Sequence, residues 1–315
     1  LQLRRQNRPN IYDLFPSPRP PLIPRTQTLG LVGRLRHDGS THTEQEDLAA
    51  FIQTHHELLA SAESFAVCLL HSYANPVHEQ QVGAALTAAF PGVPLTLSSR
   101  ISPLSREYER AETTAANAFI APVMTRYIGK LRADIAPAEL SVMDSAGGRL
   151  TVQGALKEPV RTALSGPAGG VRGAWAAGCG AGYHSILGLD IGGTSTDVSI
   201  AQGHLRPKVD GRVGEIPLRT PMLNIETVGA GGGSIAFIDS GGALCVGPKS
   251  AGADPGPAAY GKAGVNAQAT VTDANVVLGR IPNLLGGSMA IDHGAAEAAI
   301  ARVAEKLAAT VMDTA

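Results

Sequence analysis

Apolar positions recur along this chain with two different spacings, and the changes of spacing predict its elements. Leu48, Phe51, Ile52, Leu58 and Leu59 recur at helical intervals. Ahead of them, Thr43-Glu44-Gln45-Glu46 spells a capping box with Thr43 as N-cap. Phe65–Leu70 is an unbroken apolar run of strand length, Val82, Leu86 and Phe90 mark a second helix, and Val93–Leu97 reads as a short strand. Strand, helix and strand in that order predict a βαβ unit. A long helix follows over Glu107–Ala133, where Pro122 either kinks it or opens its second half. Three hairpins are then predicted. Leu140–Met143 and Leu150–Val152 flank Ser145-Ala146-Gly147-Gly148, Ile186–Asp190 and Asp197–Ile200 flank a Gly-Gly-Thr turn, and Ile235–Asp239 and Ala243–Val246 flank Ser240-Gly241-Gly242. Ala296, Ile300, Val303 and Leu307 line one face of a last, alanine-rich helix from His293.

Composition narrows the class. At 315 residues the chain has room for two domains, expected as 1–110 and 111–315. Apolar residues make up 44% and charged residues 17%, which excludes intrinsic disorder. A net charge of −1 argues against a nucleic-acid partner held by a basic surface. No apolar stretch reaches the ~18 residues of a membrane span. Cys68, Cys179 and Cys245 are odd in number and widely spaced, so they suggest neither a disulfide framework nor a zinc site, and a reducing cytoplasm is expected. Pro9, Pro16, Pro18, Pro20, Pro21 and Pro24 predict an extended N-terminal segment. Glycine is uneven: 28 of the 37 fall between Gly166 and Gly294. Such an excess among regular apolar runs points to backbone turns that meet a ligand.

The strongest candidate chemistry is Asp190-Ile191-Gly192-Gly193-Thr194-Ser195-Thr196-Asp197, set between two apolar strands. Gly192 and Gly193 let the backbone turn with amides outward, and Thr194, Ser195 and Thr196 add hydroxyl donors, a combination that forms an anion-binding concavity. Asp190 and Asp197 repel phosphate on their own and make sense with a divalent cation between them and the phosphates. One of them can also orient or deprotonate an attacking group. A plain tight hairpin with solvated acids is the alternative. The segment is neither a P-loop nor a dinucleotide fingerprint, since it lacks the Gly-x-x-x-x-Gly-Lys spelling and a strand follows where a helix is needed.

The segment resembles the second phosphate loop of the actin and sugar-kinase ATPase superfamily. Further motifs narrow the resemblance to the hydantoinase A and 5-oxoprolinase family. They are Leu164-Ser165-Gly166-Pro167-Ala168-Gly169-Gly170-Val171, Glu226-Thr227-Val228-Gly229-Ala230-Gly231-Gly232-Gly233-Ser234-Ile235, Gly247 to Pro257, Thr270-Val271-Thr272-Asp273-Ala274-Asn275, Arg5 to Leu14 and Arg106 to Arg110. The resemblance implies an α/β fold of ribonuclease-H-like mixed sheets with flanking helices, in an actin-like two-lobed ATPase architecture with an incomplete first lobe. It implies ATP and Mg²⁺ as cofactors, Asp190 and Asp197 as catalytic and metal-binding residues, and a cyclic amide opened after its carbonyl oxygen is phosphorylated. A ketone-carboxylase type of subunit and a non-catalytic nucleotide-binding fragment remain alternatives. A homo-oligomer, or a hetero-oligomer with a hydantoinase B-type subunit, is the implied assembly. A first phosphate loop, expected near the N-terminus in this superfamily, has no counterpart here, so the chain is expected to be an internal piece of a longer enzyme.

The remaining candidates carry less. Gly229, Gly231, Gly232 and Gly233 either approach phosphate with their backbone or turn a corner. Ser234 and Asp254 are candidate substrate contacts, Asp254 on a loop stiffened by Pro255 and Pro257. Ser165–Gly170 either receives an anion at a helix start or permits close helix packing. Asp273 is expected to cap a helix. Arg106–Arg110 reads as a solvated helix face or as a contact to an anionic substrate. Asp144, Ala146 and Ala259 depart from the family's usual spelling and are given no catalytic part.

Overall fold

The computed structural model describes residues 12–15, 21–264 and 266–315. Residues 1–11 and 16–20, and with them most of the Arg5–Leu14 motif and Pro9, Pro16, Pro18 and Pro20, lie outside the described residues. The first strands, β1 (Arg34–Leu35) and β2 (Thr41–Thr43), form an antiparallel pair. Thr43 therefore ends a strand and is not a helix cap. Asp47 is the cap instead, and its carboxylate accepts from the Ala49 and Ala50 N–H groups. The helical run splits into α1 (Leu48–Thr54) and α2 (His56–Ala60).

The βαβ unit is present as β3 (Phe65–Val67), α3 (Val77–Ala89) and β4 (Leu95–Leu97), with β3 and β4 parallel and Phe65 opposite Leu95. Its strands are shorter than the apolar runs predict. Past Val67 the chain leaves the sheet for a turn in which His71 adopts a left-handed backbone, φ 57°. Leu59, Phe65, Val67, Val82 and Leu86 make the local core.

Two helices follow, α4 (Ser98–Ile101) and α5 (Glu107–Asp134), the latter continuous through Pro122. An interior proline deprives the carbonyl four residues back of its usual donor. Here that carbonyl belongs to Ala118, and the Ser64 hydroxyl donates to it at 2.7 Å. The hairpin of β5 (Ser141–Met143) and β6 (Arg149–Thr151) turns around Asp144. The buried Asp144 carboxylate accepts from Ala146 N–H, Gly148 N–H and Arg161 Nη2. Beyond α6 (Val152–Lys157), the Ser165–Gly170 glycines open α7 (Ser165–Gly180) and do not precede it.

The glycine-rich part is mainly strands: β7 (Ser185–Ile191), β8 (Thr196–Gln202), β9 (Pro207–Val213), β10 (Ile216–Leu223), β11 (Ile225–Val228), β12 (Ser234–Ile238) and β13 (Leu244–Ser250). One sheet has three strands in the order β11-β8-β7, all antiparallel, while β9–β10 and β12–β13 are separate two-stranded hairpins. The chain ends with α8 (Val271–Val277), α9 (His293–Leu307) and α10 (Val311–Thr314). The architecture is mixed α/β with several short sheets.

The chain divides into two compact units. The first comprises residues 1–172 and 206–223, and the second residues 173–205 and 224–315. Residue 111 falls inside α5. In the second unit Ala258, Ala267, Ala269, Ala299 and Ile300 form a core of mostly small side chains.

Candidate functional site

The second unit gathers the glycine motifs at one end of the β7–β8 hairpin. The register pairs Ile186 with Ala201, Leu187 with Ile200 and, at the turn end, Asp190 with Asp197 and Ile191 with Thr196. Directly opposed residues of an antiparallel pair project to the same face with Cβ atoms about 5 Å apart. Like charges in that position destabilise a sheet, so the two carboxylates form a natural seat for a cation. Asp197 is partly satisfied within the protein, because Thr227 on β11 donates its hydroxyl to Asp197 Oδ1 at 2.6 Å.

Between the two aspartates the turn closes through Gly192 N–H to Ser195 O at 2.9 Å. The N–H groups of Gly193, Thr194 and Ser195, and the Thr194 and Ser195 hydroxyls, take no partner among the described residues. Gly192, Gly193 and Thr194 are exposed. Three free amides and two free hydroxyls in one short turn make an acceptor-seeking surface suited to phosphate oxygens.

The second glycine run supports this turn. Gly232 N–H donates to Gly192 O at 3.0 Å and Gly233 N–H to Gly193 O at 2.5 Å. Gly231 N–H goes to the buried Ser234 hydroxyl at 2.9 Å, and Thr196 donates to Ala230 O at 2.6 Å. The fit depends on glycine. A Cβ on Gly231 would lie 2.7 Å from Gly192 O, and one on Gly233 would lie 2.9 Å from Gly193 O. The amides of Gly231, Gly232 and Gly233 are thus spent inside the protein, and their contribution is to hold the Gly192–Ser195 turn.

Two further loops buttress the stack. Ala251 N–H donates to Gly233 O at 2.8 Å, which ties the Ser250–Pro257 loop to it and leaves Asp254 exposed. Thr272 N–H donates to Gly232 O at 2.7 Å. Thr272 is the second residue of α8, whose cap is Thr270, and Asp273 completes the capping box. Asp273 does more than cap: fully buried, it also accepts from the Ala258 and Ala259 N–H groups. Ala259 meets it only through its backbone.

Sequence reasoning missed Thr227 and Thr272 as working residues. Both sit inside quoted motifs, and only strand register and loop stacking bring them to the turn. Of the two readings of Arg106–Arg110, the solvated face does not hold for Arg110, which is fully buried. No group of three or more His, Cys, Asp or Glu side chains placed to hold a metal occurs among the described residues. Asp190 and Asp197 are two, so a cation here needs oxygens from a bound ligand or water.

Residues 110–315 match the hydantoinase/oxoprolinase family model, and residues 1–90 match that of the hydantoinase/oxoprolinase N-terminal region. The chain belongs to the hydantoinase/oxoprolinase family. It is 35% identical to caprolactamase subunit alpha of Pseudomonas jessenii over 95% of this chain and 44% of that protein. The crystal structure of that ATP-dependent caprolactamase superposes with a TM-score of 0.78 over 99% of this chain and 46% of the other, at 34% identity. The 5-oxoprolinase of Saccharomyces cerevisiae is 41% identical over 70% of this chain and 17% of its own length. The acetone carboxylase beta subunit of Xanthobacter autotrophicus is 33% identical over 94% and 42%. A nucleotide-free acetone carboxylase structure, described as part of an ATP-dependent mechanism, matches with TM-score 0.74 and 30% identity over 95% of this chain and 43% of that one. The chain spans less than half the length of each of these relatives. The family is one of ATP-dependent enzymes that includes cyclic-amide hydrolases and carboxylase subunits. No helix among the described residues is long and apolar enough to cross a membrane.

Proposed function

We propose that this chain carries a phosphate-binding site of an ATP-dependent enzyme that hydrolyses a cyclic amide of the hydantoin or 5-oxoproline type. The observation that carries the reading is the opposition of Asp190 and Asp197 across a turn whose amides at Gly193, Thr194 and Ser195 are free. The antiparallel order β11-β8-β7 suits the opening of a ribonuclease-H-like sheet, and with it an actin-like architecture. Caprolactamase and 5-oxoprolinase, both lactam enzymes by name, are among the relatives.

The chemistry asks for positioning and charge neutralisation more than for covalent work by the protein. When bound, Mg-ATP would supply the phosphoryl group that makes an amide oxygen a good leaving group. The Gly193–Ser195 amides and the Thr194 and Ser195 hydroxyls would fix phosphate oxygens. Asp190 and Asp197 would hold the cation, with Thr227 fixing the rotamer of Asp197. Asp190, exposed and without an internal partner among the described residues, is the better placed of the two to orient an attacking group. Gly231, Gly232 and Gly233 keep the turn rigid, Ser234 at the start of β12 is buried as the acceptor of the Gly231 N–H, and Asp254 stands on an exposed loop beside it.

A carboxylase-type subunit is the second reading, favoured by the acetone carboxylase match over nearly the whole chain. Relatives named as alpha, beta and gamma subunits support assembly with a partner subunit in either case. The test is calorimetric titration with Mg-ATP, followed by phosphate release with 5-oxoproline, hydantoin and N-methylhydantoin. Mg²⁺-dependent binding that Asp197→Asn weakens at least tenfold supports the site. Equal binding by the variant, or no binding by the unaltered protein, overturns it. Phosphate release stimulated by ketone and bicarbonate, and by no lactam, would favour the carboxylase reading.

A further inference from the structure

We propose that the cavity walled by α1, α2, β3 and α5, inside the first unit, binds a small amphiphilic monoamine: one ammonium group on a hydrocarbon body. The space is present. The cavity measures about 580 Å³, within the range of small-molecule sites. Leu48, Phe51 and Ile52 of α1 and Leu58 and Leu59 of α2 form one wall. A single stripe of α5 forms another, because Tyr108, Ala111, Ala115, Ala118, Phe119 and Pro122 recur at helical spacing and all line the cavity. The three alanines keep that wall shallow where longer side chains would fill the space. Phe119, on the same stripe, is 61% exposed, apolar surface that a hydrocarbon ligand would cover.

The polar atoms of the lining select the head group. Its hydroxyl donors are already spent on carbonyls. Thr28 donates to Pro24 O at 3.0 Å, Ser61 to Leu58 O at 2.8 Å, Ser64 to Ala118 O at 2.7 Å and Thr114 to Arg110 O at 2.7 Å. Among the described residues no Lys, Arg or His lines the cavity, and the charged residues that do are both acidic, Glu63 and Glu112. Glu112 belongs to the α5 wall and is half-buried, while Glu63 is exposed in the loop between α2 and β3.

Such a lining disfavours a carboxylate or a phosphate, which would meet negative charge and no cation. A neutral apolar molecule gains from burial alone. An ammonium brings three donors and a positive charge to a site whose charged groups are acceptors, and a charge-assisted hydrogen bond is the stronger kind. A polyamine fits poorly, since its further ammonium groups would be buried against apolar side chains without partners. One charge at the end of a hydrocarbon chain satisfies both parts of the lining.

The inference is independent of the lactam reading, and its test contains no nucleotide. The 315-residue protein is titrated by calorimetry at neutral pH with octylammonium, octanol and octanoate, each below its micellar concentration. Cys68 also lines the cavity, so its alkylation is followed by peptide mapping in the same mixtures, with Cys245 of the second unit as control. Octylammonium should bind at least about tenfold more tightly than octanol, and octanoate more weakly than octanol. Octylammonium should slow alkylation of Cys68 and leave that of Cys245 unchanged. Glu112→Gln should bring octylammonium down to about the affinity of octanol, and Ala115→Met, which fills the cavity, should weaken both. Equal affinity for amine and alcohol would make the cavity a seat for any apolar occupant, an apolar peptide segment included, and would overturn the proposal. A preference for octanoate, no binding of octylammonium, or binding that leaves Cys68 unprotected would overturn it too. If Glu112→Gln loses its folded circular-dichroism spectrum, the three-ligand comparison and Cys68 protection on the unaltered protein decide alone.

Discussion

Thr227 and Gly231 show how narrowly single positions set the turn between Asp190 and Asp197. Thr227 reaches Asp197 with one hydroxyl, so Thr227→Val should weaken Mg-ATP binding by about two- to tenfold, the worth of one hydrogen bond. Its circular-dichroism spectrum should not change. Gly231→Ala forces a methyl group against the Gly192 carbonyl at 2.7 Å. The expected cost is about 1–3 kcal/mol, read as a lower urea midpoint, with nucleotide binding falling alongside it. Asp273→Ala should be the most damaging substitution of this set. It removes the acceptor of three buried backbone N–H groups, those of Ala258, Ala259 and Thr270. A loss of at least about 3 kcal/mol follows, to be checked by denaturant unfolding. At this scale the sequence was legible where a residue acts through its neighbours in the chain. The turn spelled by Asp190 to Asp197 could be read directly, and so could the cap around Asp273. It left Arg110 open between a solvated face and a ligand contact, because a charge-rich helix start looks the same whether water or the Leu69 carbonyl receives it.

Elements followed from apolar spacing wherever one face of a helix or strand is buried. The predicted hairpins at 140–152, 186–200 and 235–246 are present, as are the βαβ unit and the last helix. The β9–β10 hairpin was not anticipated. Its strands carry Lys208, Asp210 and Arg212 on the first and Pro217 and Pro221 on the second, and prolines inside a run argue against a strand although Ile216, Leu218 and Met222 alternate. The capping assignment at Thr43 failed for a related reason. A capping-box spelling costs nothing to occur by chance, and Asp47, four residues on, is the stronger acceptor at the true helix start. The passage of α5 through Pro122 depends on a donor from outside the helix. Ser64→Ala should leave the Ala118 carbonyl unmet and destabilise the protein by about 1–2 kcal/mol, seen as a lower melting temperature. Pro122→Ala restores an internal donor for that carbonyl. In that background the cost of Ser64→Ala should shrink, which a double-mutant cycle measures directly.

Across the whole molecule, burial is uneven. Leu187, Leu189, Ile191 and Ile200 lie on one face of the three-stranded sheet and are each about two-thirds exposed. On the other face, Ser199 and Ala201 are buried. An apolar patch of this kind promotes association. Leu189→Thr with Ile191→Thr should reduce self-association in light scattering while changing stability little, since neither side chain leaves a packed site. The chain's own order of residues determined the family, the position of the turn between Asp190 and Asp197 and most of the secondary structure. These depend on local spacing, on glycine's backbone freedom and on motif spelling, all of which are written along one dimension. Only the tertiary structure decided which glycines face outward and which support them. The amides of Gly231, Gly232 and Gly233 and those of Gly193, Thr194 and Ser195 look alike in sequence. Folding spends the first set on internal carbonyls and leaves the second free, because hydrogen-bond partners are settled by which loops meet in space.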